Sequence, residues 1–169
     1  ITNSRRNIDF EGSKVGISRN DNGVAHLWAD DDRGLAFGLG FAHAHDRLVQ
    51  MVLARLVGQG RLCECLKDSD ETLAIDIFMR EMGLRQEADA EVTQLGVESS
   101  RLVLAYAEGV NRYMKTNRRP LELLLVRHKP ETWTAADTLL TVKLMSYVGL
   151  AQSQQDMEKL IIEAIKGGV

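Results

Sequence analysis

The apolar positions of this chain change period once, early on. Over residues 14–29 apolar and polar residues alternate, with Val15 and Ile17, then Asp21-Asn22-Gly23, then Val24, His26 and Trp28. A period of two marks a strand, and Asn-Gly favours the positive φ angles of a tight turn, so this stretch predicts a β-hairpin. From about Arg33 the period becomes helical. Leu48, Met51, Val52 and Leu56 share one face, while Asp46, Arg47, Gln50 and Arg55 fall mostly on the other sides. Asp30-Asp31-Asp32 stands in front of that helix and offers N-cap candidates with favourable charge for its first turn. Gly58 and Gly60 predict its end, and residues 61–66 a short helical turn after it.

Leu73, Ile77, Met79 and Met82 predict a second helix over residues 71–85. Further helices are expected over 87–95 and 98–115, the latter with Leu102, Leu104, Ala105 and Val110. Pro120 disfavours helix in the residue before it and closes that run. Residues 121–126 are short and apolar, and 129–134 form a turn whose last residue, Thr134, is a good N-cap for a helix over 135–149. The polar run Gln152-Ser153-Gln154-Gln155 separates it from a last helix over 156–166. The fold class is therefore α+β: a mainly α-helical chain with an N-terminal β-hairpin. Its 169 residues suit a single domain over 1–169.

Charge narrows the partners. The net charge is −3, without the basic stripe of a nucleic-acid binder, so no nucleic acid is expected. No apolar run approaches the roughly 20 residues that span a bilayer, so no membrane is expected either. The start, Ile1-Thr2-Asn3-Ser4-Arg5-Arg6, has no signal-peptide pattern and no initiator Met, which suggests a processed chain. The end, Gly167-Gly168-Val169, reads either as a helix C-terminus or as the trimmed edge of a cleavage site.

Candidate chemistry is sparse. His43 and His45 lie two apart, about 200° around a helix, and cannot share a metal; one is expected to pack inward with a hydrogen bond and the other to face out. Cys63 and Cys65 lack the second pair a zinc site needs, and a disulfide across one residue is strained, so both are expected as free thiols. There is no G-x-S-x-G elbow, no P-loop and no dinucleotide fingerprint, and no organic cofactor is expected. Asp46-Arg47 and Asp76-x-x-x-Arg80 could form local ion pairs. Tyr106-x-x-Gly109-x-Asn111 places a glycine where two helices can approach closely, with Tyr and Asn as hydrogen-bonding groups. By residue chemistry alone the chain lacks an activated nucleophile.

Six blocks in order carry a resemblance. They are Arg19 through Asn22-Gly23-Val24-x-His26; Gly38-x-Gly40-Phe41-x-His43-Ala44-x-Asp46-Arg47-Leu48-x-Gln50-Met51; Gly60-Arg61-Leu62; Asp76-x-x-x-Arg80 with Gly83-Leu84; Ala105-Tyr106-Ala107-x-Gly109-Val110-Asn111; and Pro130-x-x-Trp133-Thr134-x-x-Asp137. In that order and spacing the chain resembles the α (small) subunit of the penicillin-acylase family, N-terminal-nucleophile amidases, over about residues 14–166. It departs from the family pattern at Ala25, His45, Val49 and Lys67-Asp68-Ser69-Asp70, which blurs the subfamily and the substrate.

The resemblance implies a precursor that cuts itself, often releasing a spacer, into α and β chains that interleave in a four-layer αββα fold as an obligate heterodimer. The nucleophile would be the N-terminal serine of the β chain, so no catalytic residue is expected here. This chain, opening on Ile1, would be half of an enzyme. Its share would be part of the acyl pocket. With Asp156-Met157-Glu158-Lys159-Leu160 on the family's start of the last helix, Ser146, Gly149 and Leu150 fall at substrate-binding positions, with Met145 beside them. The same register makes Asp156 either a ligand of a structural Ca²⁺ shared with the β chain or a plain helix N-cap. The implied activity is cleavage of the side-chain amide of penicillin-like N-acyl compounds, in the periplasm. The alternatives are an acyl-homoserine-lactone acylase α subunit and, outside enzymes, an independent helical binding module.

Overall fold

The computed structural model describes residues 6–166. Three antiparallel strands lead the chain: β1 (Arg6–Phe10), β2 (Ser13–Arg19) and β3 (Ala25–Ala29), in the order β1-β2-β3. The register pairs Ile8 with Val15 and Ile17 with Leu27. The strand β1 was not expected. Its signal is short: Ile8 and Phe10 at alternate positions, ahead of a turn in which Glu11 and Gly12 both take positive φ. Such a two-residue turn matches the twist of the strands it joins. The β2–β3 hairpin is as expected, but its loop is wider than a two-residue Asn-Gly turn. Asn20 closes it by accepting from the backbone N–H of Asn22 and Val24, and Gly23 carries the positive φ. The row expected as apolar, Val24-His26-Trp28, lies on the outer face, and the row holding Leu27 faces the helix.

The sheet lies on α1 (Asp32–Gln59), a helix of 28 residues. Asp31 caps it, accepting from the Gly34 N–H at 2.6 Å, and Asp30 accepts from the Lys14 N–H, tying the cap to β2. Phe10 and Phe37 stack at 4.3 Å between centroids, with Val15, Ile17 and Phe41 around them. Further along, Leu48, Met51, Val52 and Leu56 are all buried, as their spacing predicts. Arg55, expected outside, is 1% exposed. Gly58 does not end the helix; it stands against Leu140, and Gly60 ends it in the left-handed conformation.

The other helices are α2 (Leu62–Cys65), α3 (Asp70–Met82), α4 (Leu84–Gln94), α5 (Val97–Thr116), α6 (Leu121–Leu125) and α7 (Ala135–Lys166). α5 packs along α1 at two glycines. A Cβ on Gly109 would stand 1.9 Å from the Phe37 carbonyl oxygen, and one on Gly40 would stand 2.1 Å from that of Tyr106. This is the close approach expected at Gly109. Asn111 adds a two-way link to the backbone of Trp133, 2.8 Å each way.

Asp76 and Arg80 do not pair with each other. Asp76 is buried and accepts from the N–H groups of Leu62 and Cys63, capping α2, while Arg80 donates to the carbonyl of Gly60. The Thr134 hydroxyl caps α7 by accepting from the Asp137 N–H, and the Asp137 carboxylate accepts from the Thr134 N–H in return, a reciprocal box. α7 then runs unbroken through residues 150–156 to Lys166, with no separate last helix. Asp156 is thus inside a helix and not its N-cap; its side chain lies outside the described residues. On α3 the expected inner face is reversed in part: Met79 is buried, but Leu73 and Ile77 are about half exposed.

Candidate functional site

A groove of about 650 Å³ opens between α1, α5 and α7. α1 contributes His43, Arg47 and Met51, one residue per turn on one face. α5 contributes Tyr106, and the turn before α7 contributes Trp133. α7 supplies Thr138, Thr141 and Val142, then Met145 and Ser146 one turn on. Two of the four expected substrate-binding residues, Met145 and Ser146, therefore stand in its wall. Gly149 and Leu150 do not line it; Leu150 is 67% exposed, and the space beside Gly149 is open. His43, Arg47, Met51 and Tyr106 were not expected here. Their spacing on α1 was readable, but only the fold shows that α7 crosses that face.

The local backbone breaks helical geometry at Arg47, with φ −137° and ψ 17°, inside the groove wall. Just before it, Asp46 accepts from Arg19 at 2.6 Å and contacts His45 Nδ1 at 2.8 Å, which ties the hairpin to the helix. Asp46 pairs with Arg19, not with its neighbour Arg47. Burial works against the Asp46 charge, but the bonds from His45 and Arg19 outweigh it and hold the carboxyl below its ordinary pKa. Neither His43 nor His45 is buried, so the expected inward histidine is absent; each instead has a hydrogen-bond partner at the surface.

His43 Nδ1 lies 2.9 Å from the Tyr106 hydroxyl. Desolvation lowers the His43 pKa, against the pull of Asp46, and burial pushes that of Tyr106 up to about 12. Both therefore stand neutral at pH 7, as a hydrogen-bonded pair within a groove whose apolar walls are Met51, Trp133, Val142 and Met145, with the hydroxyls of Thr138, Thr141 and Ser146 among them. Arg47 is the one charged lining residue among those described.

Behind the groove, Trp133 packs against a buried charge cluster. The Arg55 guanidinium lies 5.3 Å from its ring centroid and 3.6 Å from Asp137 Oδ2. Asp137 Oδ1 accepts from Arg85 at 2.8 Å and from Gln59 at 3.2 Å, so one carboxylate joins α1, α4 and α7. Nearby, His128 is buried, and its Nε2 has no hydrogen-bond partner among the described residues. Burial, then the charge of Arg55, holds its pKa below the ordinary 6.5. The proton that His128 takes up when unfolded is thus refused when folded. Stability from this residue is full above about pH 6.5 and is lost as pH falls below it toward the depressed folded value. Unfolding free energy should therefore decline as pH falls from 7.5 to 5, and His128→Gln should flatten that slope; an unchanged slope in the variant would remove His128 from the acid response.

Both cysteines are free, and no three His, Cys, Asp or Glu side chains converge into a metal site among the described residues. No described helix is long and apolar enough to cross a membrane.

The penicillin amidase family model matches residues 14–166. The acyl-homoserine lactone acylase QuiP of Pseudomonas aeruginosa is 37% identical over 144 residues, covering 84% of this chain and 17% of that protein. The penicillin acylase 2 proenzyme of a Pseudomonas strain is 33% identical over 120 residues, 70% of this chain and 15% of that protein. The chain thus spans about a sixth of the length of these relatives. Among solved structures, the thermostable penicillin G acylase of Alcaligenes faecalis superposes with a TM-score of 0.70 at 28% identity, over 76% of this chain and 70% of that one. By sequence and by fold, this chain belongs to the penicillin amidase family.

Proposed function

We propose that this chain, as one domain, is the α subunit of an N-terminal-nucleophile amidase that hydrolyses N-acyl compounds, and that the groove between α1, α5 and α7 takes part of the acyl group. The observation that carries the reading is the fold match. The family model runs over residues 14–166, and the helices and sheet superpose on a chain of the solved penicillin G acylase with a TM-score of 0.70. The surface supports it as well: Leu73, Ile75, Ile77 and Phe78 of α3 are each 41–49% exposed, and Val148 and Leu150 of α7 exceed half. A partner chain that buries such apolar surface is characteristic of an obligate assembly.

In this reading the β-chain serine hydroxyl attacks the amide carbonyl. Its own α-amino group, with a pKa near ~8, accepts the proton and returns it to the leaving amine. Water then releases the acid from the acyl-enzyme. This chain's residues bind and orient: Met145 and Ser146 from the groove wall, Gly149 and Leu150 from the next turn of α7. Between the two acyl readings, an aliphatic acyl-homoserine lactone is favoured over a penicillin side chain. The relative of that name has the higher identity, and Met51, Val142 and Met145 suit an alkyl chain. Asp156 is proposed as one oxygen ligand of a Ca²⁺ whose remaining ligands come from the β chain. A periplasmic location is carried over from the family.

The test is to purify the chain with everything that accompanies it, determine masses and N-termini, and assay acyl amides. An equimolar larger chain beginning with Ser, with hydrolysis of long aliphatic amides above phenylacetyl amides, is expected. The reverse preference would restore the penicillin reading. A single folded 18.9 kDa species without activity would leave a binding module. Metal analysis of the same preparation should give about one Ca²⁺ per heterodimer, and none would sink the role of Asp156.

A further inference from the structure

We propose that the His43–Tyr106 pair is a specificity determinant of the groove, selecting acyl groups that carry a hydrogen-bond acceptor, an oxo or hydroxyl oxygen, over the plain hydrocarbon chain. The proposal rests on the acylase reading above and goes a step beyond it, to the chemistry of the acyl chain.

The two side chains come from different helices. Their rings meet edge to face at 5.7 Å between centroids, with Nδ1 and the hydroxyl 2.9 Å apart. A neutral imidazole has one N–H donor and one acceptor nitrogen. If Tyr106 donates to Nδ1, the imidazole hydrogen sits on Nε2. If Nδ1 donates to Tyr106, the phenolic hydrogen is the one left over. Either tautomer therefore leaves one hydrogen that the pair itself does not use, and neither side chain has a second hydrogen bond among the described residues. Both residues line the groove. The surroundings decide what this donor is worth. Met51, Val142, Met145 and Trp133 offer it no strong acceptor, and the Thr138 and Thr141 hydroxyls of the same wall are engaged with Trp133 and with the α7 backbone, so a bound alkyl chain would strip water from it and leave it unpaired. An oxygen on the acyl chain would satisfy it. Sites built around a hydrogen bond reject the analogue that lacks it, which is the basis of strong discrimination.

Trp133, Thr138 and Thr141 already donate within the protein, the Ser146 hydroxyl is a single exposed rotor on α7, and Arg47 differs in kind. It is exposed, on a flexible stem, and already donates to Gln50 at 3.4 Å.

The experiment uses the assembled enzyme, with this chain and the rest of its precursor. Substrates are decanoyl amides in which one oxo group is moved along the chain, read against plain decanoyl amide. The measured quantity is the ratio of kcat/KM, oxo over plain, so a general loss of activity cancels. At one position of the oxo group the ratio should be about tenfold in the wild-type enzyme. It should fall in part in Tyr106→Phe and in His43→Leu, each of which leaves one donor no longer held in place, fall to about one when the two are combined, and be higher in His43→Gln than in His43→Leu, because glutamine restores an N–H donor. A ratio near one at every position in the wild type overturns the proposal while leaving the acylase reading intact. So does a ratio that survives the combined substitution, or one lost instead in Arg47→Met or Ser146→Ala. Failure to cleave any of the amides overturns the acylase reading itself. If the pair's variants lose self-processing or β-chain association while the wild-type ratio is one, the groove is covered by the partner chain, and the proposal falls.

Discussion

Gly109→Ala should be among the most damaging single substitutions in this chain. The new methyl would stand 1.9 Å from the Phe37 carbonyl oxygen and 2.8 Å from the Phe41 nitrogen. Both neighbours are backbone atoms of α1, so no rotamer change relieves the clash; the two helices must separate. Separation loosens Phe37, Phe41 and Ala105, which hold the sheet to the helices. Overpacking of this kind costs typically 1–3 kcal/mol and more where backbone must move, and about 3 kcal/mol is expected here. For a chain of this length that corresponds to a fall of roughly 6–12 °C in Tm. Gly149→Ala is the matched comparison. Nothing stands within 4 Å of a Cβ there, and alanine is the better helix former, so that variant should be neutral or slightly stabilising. Equal Tm values for the two variants would show that α1 and α5 do not meet at Gly109.

Asp137→Ala should cost still more, about 3–5 kcal/mol. The carboxylate is 2% exposed and serves three helices at once: Arg55 and Gln59 on α1, Arg85 on α4, and the Thr134 cap of α7. Among the described residues it is the only ion-pair partner of Arg55, which is itself 1% exposed. Removing it strands a buried guanidinium with only the carbonyls of Glu131 and Thr132 and the face of Trp133. Arg85→Ala is the contrast. That side chain is 30% exposed, and the buried Asp137 carboxylate it faces would keep Arg55, Gln59 and Thr134, so its loss should cost no more than about 1 kcal/mol. Chemical denaturation of the two variants checks this. An Asp137→Ala variant within 1 kcal/mol of the parent would mean that Arg55 reaches another acceptor or water.

Both predictions bear on the groove. Trp133 forms part of its wall, stands over Arg55, and is fixed to α5 through Asn111. The charge cluster around Asp137 therefore sets how α7 approaches α1, and with it where Met145 and Ser146 stand. Residues far from any substrate thus shape the surface that would hold one.

Some of this was legible along the chain because the signals are local. The caps at Asp31 and Thr134 need only a side-chain oxygen a few residues ahead of a helical run. The face of α1 from Leu48 to Leu56 follows from period alone. Gly109 was legible as a point of close approach because glycine in a helix interior costs stability and is retained where packing requires it. Other expectations failed where a distant group decides the outcome. Period put Arg55 outside, yet Asp137, 82 positions away by their numbering, supplies the carboxylate that lets it be buried. The four-residue spacing of Asp76 and Arg80 suggested a pair, yet each caps the backbone around α2 instead. Glycine and a polar run suggested a break after Gly149, yet neither stops a helix by itself, and α7 continues.

By itself, then, the sequence determined the strand-to-helix order, most helix boundaries and the family, because periodicity, caps and ordered motif blocks are properties of short stretches. The tertiary structure alone decided that His43, Tyr106 and Met145 share one groove, that Arg55 is buried, and which apolar face of α3 stays open. Those outcomes depend on how helices cross, and crossing is set by close contacts and buried charges between residues tens of positions apart, which no local pattern records.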